Sequence, residues 1–65
     1  MEFEDICNTV RANGWDVLEP GHPDGDVSDW VMRSPEGIKQ PVTADKIRSP
    51  NRLRWILQKA GVVFR

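Results

Sequence analysis

The sequence predicts one α+β domain over residues 1–65. We expect a two-layer sandwich of α-β-β-β-α order, with a three-stranded antiparallel sheet and both helices on one face. Three observations predict this fold. Apolar residues recur at helical spacing near each end of the chain, three short segments between them have strand character, and clusters containing Gly and Pro separate these elements. A chain of 65 residues buries only about 60% of its unfolded surface, so we expect no enclosed catalytic cavity.

The first element is an amphipathic helix. Its apolar face follows the spacing i, i+3, i+4, i+7 through Phe3, Ile6, Cys7 and Val10. Acidic side chains occupy its first turn, where they complement the helix dipole: Glu2, Glu4 and Asp5. Gly14 follows as the residue that ends the helix. Because Cys7 lies on the apolar stripe, we predict a core residue and not a nucleophile.

Three strands are predicted next, over residues 15–18, 28–33 and 38–43, and Trp15 and Trp30 are expected to be sheet or core residues. Residues 20–26 form a loop rich in Pro, Gly and Asp, and Ser34-Pro35-Glu36-Gly37 is a hairpin turn. Pro41 has no N–H to donate, so its strand should lie at the sheet edge, or that position should face outward. Residues 43–48 are predicted to be a connector.

The last helix has the clearest signals. Ser49 is its predicted N-cap, and Pro50 occupies the first helical position. The apolar spacing returns in Leu53, Ile56, Leu57 and Ala60, and Gly61 ends the helix. The apolar tail at residues 62–64 should pack on the core or pair with it, because an exposed apolar tail would be an oligomerisation patch.

The charges of the chain separate after Glu36. Residues 1–36 carry nine acidic and two basic side chains, a net charge of −7. Residues 37–65 carry seven basic side chains and one acidic side chain, Asp45, a net charge of +6. This division indicates a surface for a polyanion or an acidic partner. The alternative is that the two halves attract each other and help the chain to close.

The remaining composition narrows the class of protein. Cys7 is the one cysteine, which excludes an internal disulfide and a cysteine-based zinc site and favours a reducing, cytoplasmic location. No apolar run approaches the roughly 18 residues of a membrane span, and no signal peptide is visible, so no membrane association is expected. We expect no cofactor and no metal.

Seven residues form the predicted binding surface, which we call the basic face. At about 100° per residue, Trp55 lies about 200° from Leu53 and so points away from the apolar stripe. Cationic and polar side chains surround it, and the basic face comprises Lys46, Arg48, Arg52, Arg54, Trp55, Gln58 and Lys59, with Arg65 as an extension. A tryptophan among cations can stack a base or anchor a protein partner. The alternative is that the tail at residues 62–64 folds back over Trp55.

This order of elements resembles the HicA family of toxin–antitoxin mRNA interferases, which have a fold like that of double-stranded-RNA-binding domains. Four pieces carry the resemblance: Asn13-Gly14-Trp15, Pro35-Glu36-Gly37, Pro41-Val42 and the closing stretch Leu53-Arg54-Trp55-Ile56-Leu57-Gln58-Lys59-Ala60-Gly61. The family closes with a helix reading roughly Leu-Arg-x-Ile-Leu-x-x-Ala-Gly. The resemblance implies RNA as a partner, and an antitoxin-like protein beside it.

The chain departs from the family at the catalytic position. The family has Gly-Ser-His at the start of its second strand, where this chain reads Val27-Ser28-Asp29. Asp29 is a weak catalytic candidate, because an exposed aspartate titrates near ~4, whereas RNA cleavage needs a group that titrates near neutrality. The one histidine, His22, lies in the loop before this strand and is the other weak candidate.

Three hypotheses follow. The favoured one is a non-catalytic binding module of HicA-like fold, which engages a nucleic acid or a protein partner through the basic face. A compact chain with divided charges suits a phage or mobile-element accessory protein. The second is an active mRNA interferase that uses His22 or Asp29. The third is a small DNA-binding regulator that reads a groove with Arg52, Arg54 and Gln58, although DNA is the less favoured partner. The sequence leaves the oligomeric state open.

Overall fold

The computed structural model describes residues 1–25 and 28–65. Within them lie three helices and three strands: α1 (Phe3–Ala12), β1 (Asp16–Leu18), β2 (Trp30–Arg33), β3 (Lys39–Val42), α2 (Ala44–Arg48) and α3 (Pro50–Lys59). The predicted α-β-β-β-α order is confirmed, with α2 as an addition. Across the described part of the chain, no helix is long and apolar enough to cross a membrane. Asp26, the last residue of the predicted loop, and Val27, which precedes the predicted second strand, lie outside the described residues.

Helices α1 and α3 end in the same way. The N–H of Trp15 donates to the carbonyl of Val10 over 3.1 Å, and the N–H of Val62 donates to the carbonyl of Leu57 over 3.0 Å. This 6→1 bond is the Schellman ending, which needs a left-handed residue just beyond the helix. Gly14 and Gly61 supply it, with φ of 85° and 103°. Both endings therefore fold the following apolar residue back onto the core.

The sheet has the order β1-β2-β3, and both pairs are antiparallel. The turn after β2 is confirmed, since the N–H of Gly37 donates to the carbonyl of Ser34 over 2.9 Å. The N–H of Ser34 donates to the carbonyl of Ile38 over 2.8 Å, which makes this a hydrogen-bonded pair. Pairs alternate along an antiparallel ladder, so Pro41, opposite Val31, falls at a non-hydrogen-bonded position of an edge strand. The prediction for Pro41 is therefore confirmed.

The prediction of a plain connector over residues 43–48 was wrong, because α2 occupies residues 44–48. The main-chain carbonyl of Thr43 accepts the N–H groups of Lys46 and Ile47, so the chain turns into a helix where the third strand was expected to end. The helix has five residues and none of them is buried. A helix this short carries no apolar stripe, which is the signal that revealed α1 and α3.

The core lies between the helices and one face of the sheet. Side chains from both layers reach it with almost no solvent exposure: Ile6, Val10, Met32, Val42, Leu53 and Leu57. The two tryptophans predicted to pack in the sheet or core do so. Trp15 is 9% exposed, and the ring of Trp30 packs edge-to-face on Phe3 with 5.2 Å between ring centres. The two-layer sandwich, with α1 and α3 on one face, is confirmed.

Candidate nucleic-acid interface

Helix α3 presents Trp55 to solvent because its buried and exposed residues occupy opposite sides. Leu53 and Leu57 are 0% exposed and fix one side of α3 in the core, whereas Trp55 is 57% exposed. The outward direction predicted for Trp55 is therefore confirmed. Large aromatic side chains are seldom exposed to this extent, so Trp55 is a candidate contact residue for a binding partner.

Lys59 covers one face of the Trp55 ring. Its Nζ lies 4.2 Å from the ring centre, within the range of a cation–π interaction. The two residues are one helical turn apart, which places their side chains side by side on the surface of α3. With Lys59 in this position, Trp55 remains 57% exposed.

The C-terminal tail turns away from Trp55. Val62 is 3% exposed and belongs to the core. The next residue, Val63, is held by the side chain of Asn13: its N–H donates to Asn13 Oδ1 over 2.9 Å, and Asn13 Nδ2 donates to its carbonyl over 3.1 Å. The alternative in which the tail folds back over Trp55 is therefore wrong.

Phe64 in the tail packs against Arg54, another residue of the basic face. The guanidinium carbon of Arg54 lies 5.6 Å from the centre of the Phe64 ring. Arg54 is half-buried, and its Nε is buried without a hydrogen-bond partner in the part of the chain that the structure describes. Arg54 therefore belongs partly to the packing of the tail, whereas Arg52, Gln58 and Lys59 are exposed on α3.

Helix α2 adds Lys46, half-buried, and Arg48, exposed, and it packs on α3. It also holds Asp45, the one acidic side chain of residues 37–65. The hydroxyl of Thr43 donates a hydrogen bond to Asp45 Oδ1, and this bond holds the pKa of that carboxyl below its ordinary value of 3.8. Asp45 therefore remains ionised at neutral pH and directs its carboxylate to Thr43.

Among the residues that the structure describes, no cation of the basic face forms an ion pair with a carboxylate. Within residues 1–25 and 28–65, the one ion pair joins Arg33 Nη2 and Asp16 Oδ2 over 2.9 Å, and both belong to the acidic half. No ion pair therefore joins the acidic half to the basic half among these residues. Unpaired cations at a surface remain available to an anionic ligand.

One of the two weak catalytic candidates, His22, lies away from the basic face. Trp30 and Met32 point to the helices, so Leu18 and Val31, which pair across β1 and β2, lie on the other face of the sheet. The loop after β1 covers that other face, since a Cβ placed on Gly25 would come within 3.3 Å of Leu18 Cβ. The structure therefore places His22, within this loop, across the sheet from α3.

Hydrogen bonds fix the loop that contains His22. Its Nδ1 accepts the main-chain N–H of Asp24 over 3.1 Å, so a neutral His22 ring carries its proton on Nε2. Lys39 Nζ donates to the carbonyl of Asp24 over 3.1 Å and ties the loop to β3. Asp29 is half-buried just before β2. Val27, which begins the stretch matched to the family's Gly-Ser-His, lies outside the described residues. No cation of the basic face joins His22 or Asp29 in any hydrogen bond or ion pair found between described residues.

Asn13 and Phe64 make side-chain contacts with the tail and with Arg54 that the sequence did not indicate. Asn13 was interpreted as part of a helix ending, and Phe64 as part of an apolar tail. Their roles depend on partners 50 and 10 positions away in the chain, Val63 and Arg54, and no local pattern reports such pairs. Together with Thr9, Ala12 and Arg65, Asn13 and Val63 line an open depression of about 560 Å³ where α1 meets the tail.

Comparisons with protein-family models, with curated proteins and with solved structures find no match to this chain. The resemblance to the HicA family therefore stays a prediction that rests on the sequence motifs.

Proposed function

We propose that this protein is a non-catalytic nucleic-acid-binding module of HicA-like type, which engages RNA through the basic face. One observation carries the proposal: Trp55 is 57% exposed, and the cations around it have no carboxylate partner among the described residues. Positive side chains neutralise phosphates, and an exposed aromatic ring stacks on a base. This combination is typical of surfaces that follow a nucleic-acid strand.

The charge distribution supports a restricted footprint. Exposed acidic side chains are spread over the N-terminal half, at Glu2, Glu4, Asp5, Glu19 and Asp24. A phosphate backbone would be repelled there and attracted to α2 and α3, so the strand is expected to contact only the basic face. Because most of the binding energy would come from counterion release, the affinity should fall steeply with salt.

The placement of His22 and Asp29 supports the non-catalytic part of the proposal. Cleavage through the 2′-hydroxyl needs a general base within hydrogen-bond reach of the bound strand. His22 lies across the sheet from α3, and Asp29 replaces the histidine that the family uses. A strand bound on α3 would therefore not have His22 beside its reactive hydroxyl, and it would meet no histidine at the position that the family uses.

The test is a pull-down from a bacterial lysate, with and without nuclease treatment. The wild type is compared with Trp55→Ala and with a matched control, Ile38→Ala, which removes a side chain that is 69% exposed at the hairpin. The proposal expects the wild type and the control to retain RNA that nuclease removes, and Trp55→Ala to lose it. A discrete protein that survives nuclease treatment, or degradation of RNA by the purified chain, would overturn it.

A further inference from the structure

From the geometry around Trp55 we infer that the basic face selects unpaired strands, by stacking one base on the ring face opposite Lys59. This inference rests on the proposed function and adds the form of nucleic acid that is bound. Of the three tryptophans, Trp55 is exposed, Trp15 is buried and Trp30 is half-buried. Among the three tryptophans, Trp55 is therefore the one that can serve as an exposed stacking platform.

Lys59 occupies one side of that platform, while the residue remains 57% exposed. Its ammonium lies 4.2 Å from the centre of the Trp55 ring, so a base cannot approach this face without displacing it. A base on the other face instead completes a stack of base, indole and ammonium. The ring is then held from both sides, and Lys59 stays close enough to reach a phosphate next to the stacked base.

Two cations of α3, Arg52 and Lys59, lie along one line with Trp55 that suits a single strand. Arg52 precedes Trp55 by three residues and Lys59 follows it by four, so all three project from neighbouring positions on α3. At 1.5 Å per residue, Arg52 and Lys59 are separated by roughly 10 Å along the helix axis. A short stretch of one backbone can contact both cations while its base reaches Trp55.

A duplex cannot use the same platform. Its bases are already stacked and paired, and extracting one costs a few kcal/mol. A duplex would therefore contact only the cations of the basic face, through its phosphates. Stacking on an aromatic side chain contributes about 1–3 kcal/mol per base, which corresponds to a preference for unpaired strands of about 5- to 150-fold.

The experiment measures the affinity of the full chain for a labelled 12-nucleotide RNA, single-stranded or annealed to its complement, by fluorescence anisotropy at one fixed salt concentration. Single-stranded DNA of the same sequence is a third arm that separates base stacking from recognition of the 2′-hydroxyl. The proteins are the wild type, Trp55→Leu and Trp55→Phe. Leucine keeps an apolar side chain of helical preference, whereas phenylalanine keeps an aromatic ring on which a base can stack.

The inference expects the wild type to prefer the single strand by at least 5-fold, Trp55→Leu to lose that preference with duplex affinity unchanged, and Trp55→Phe to restore part of it. Equal affinity of the wild type for both forms would overturn the inference while leaving the proposed function intact. So would an equal loss for both forms in Trp55→Leu. Absence of binding to every nucleic acid would instead overturn the proposed function itself.

Discussion

The side-chain amide of Asn13 pairs with the main chain of Val63, 50 residues later, through one donated and one accepted hydrogen bond. This pair joins the end of α1 to the tail and directs the tail away from α3. The tail therefore lies against α1 and does not cover Trp55, which the rotation of α3 directs to solvent.

Replacing Asn13 tests this connection. Asn13→Ala removes the two bonds to Val63 and the bond from Asn13 Nδ2 to the carbonyl of Thr9, which measures 2.8 Å. We expect a loss of about 1–2 kcal/mol in the free energy of unfolding and faster hydrogen exchange at the Val63 amide. Denaturant unfolding and amide exchange measure the two effects.

Asn8→Ala is the matched control, because Asn8 lies on the same helix and its side chain accepts only one exposed bond, from Arg11 over 3.3 Å. It should change neither quantity appreciably. Slow exchange at Val63 that persists unchanged in Asn13→Ala would show that the pair does not hold the tail.

The salt dependence of RNA binding should report the contribution of single cations. Arg52→Gln removes an exposed charge of the basic face, whereas Arg11→Gln removes an exposed charge of α1. For a single strand, we expect Arg52→Gln to reduce the slope of log affinity against log salt by about 0.7, the value for one lost phosphate contact. Arg11→Gln should leave the slope of the wild type. Equal slopes for both variants would remove Arg52 from the contact surface.

Cys7 should be unreactive in the folded protein. It is 4% exposed, and burial raises the pKa of its thiol above the ordinary value of 9.0, with Arg11 opposing this shift in part. A small thiol reagent at pH 8 should therefore modify the unfolded chain much faster than the folded one. Comparable rates in the two states would contradict the buried position.

The same shift predicts a loss of stability in alkali. Above pH 9 the thiol of the unfolded chain ionises while the folded thiol stays protonated, so the free energy of unfolding falls as pH rises toward the folded pKa of Cys7. Well below pH 9.0 the thiol is protonated in both states, so Cys7 does not change the free energy of unfolding with pH. In Cys7→Ala, the free energy of unfolding should not show this part of the fall at high pH. Unfolding curves of both proteins between about pH 8 and pH 10 measure the difference.

Asp45 should titrate below its ordinary pKa of 3.8 because Thr43 donates a hydrogen bond to its ionised form. The ionised side chain stabilises the fold above pH 3.8, and this contribution is lost as the pH falls through the lowered pKa. Carboxyl NMR of Thr43→Val should show the pKa of Asp45 returning toward 3.8, whereas Thr9→Val should not change it. An unaltered pKa in Thr43→Val would remove the hydrogen bond as the cause.

Local patterns were sufficient to predict α1 and α3 and the outward direction of Trp55. The spacing of Leu53 and Leu57 fixes which side of α3 is buried, and every other residue of that helix follows from the same rotation. The hairpin and the edge position of β3 were predictable for a similar reason, since Pro41 and the turn residues carry their own backbone constraints.

The parts that were missed depend on contacts between distant residues or on elements too short for a pattern. Helix α2 spans five residues with none buried, so it has no periodicity to detect. Neither the pairing of Asn13 with Val63 nor the packing of Arg54 on Phe64 follows from any residue's own preference. The first contact holds the tail against α1, and the second makes Arg54 part of the packing of the tail.

The most direct measurement is an NMR titration of the three indole N–H signals with a short single-stranded RNA, with the signal of Trp55 identified by its absence in Trp55→Leu. We predict that the Trp55 signal shifts progressively while those of Trp15, which is 9% exposed, and Trp30, which packs on Phe3, stay in place. An RNA that binds without moving the Trp55 signal would contradict the account.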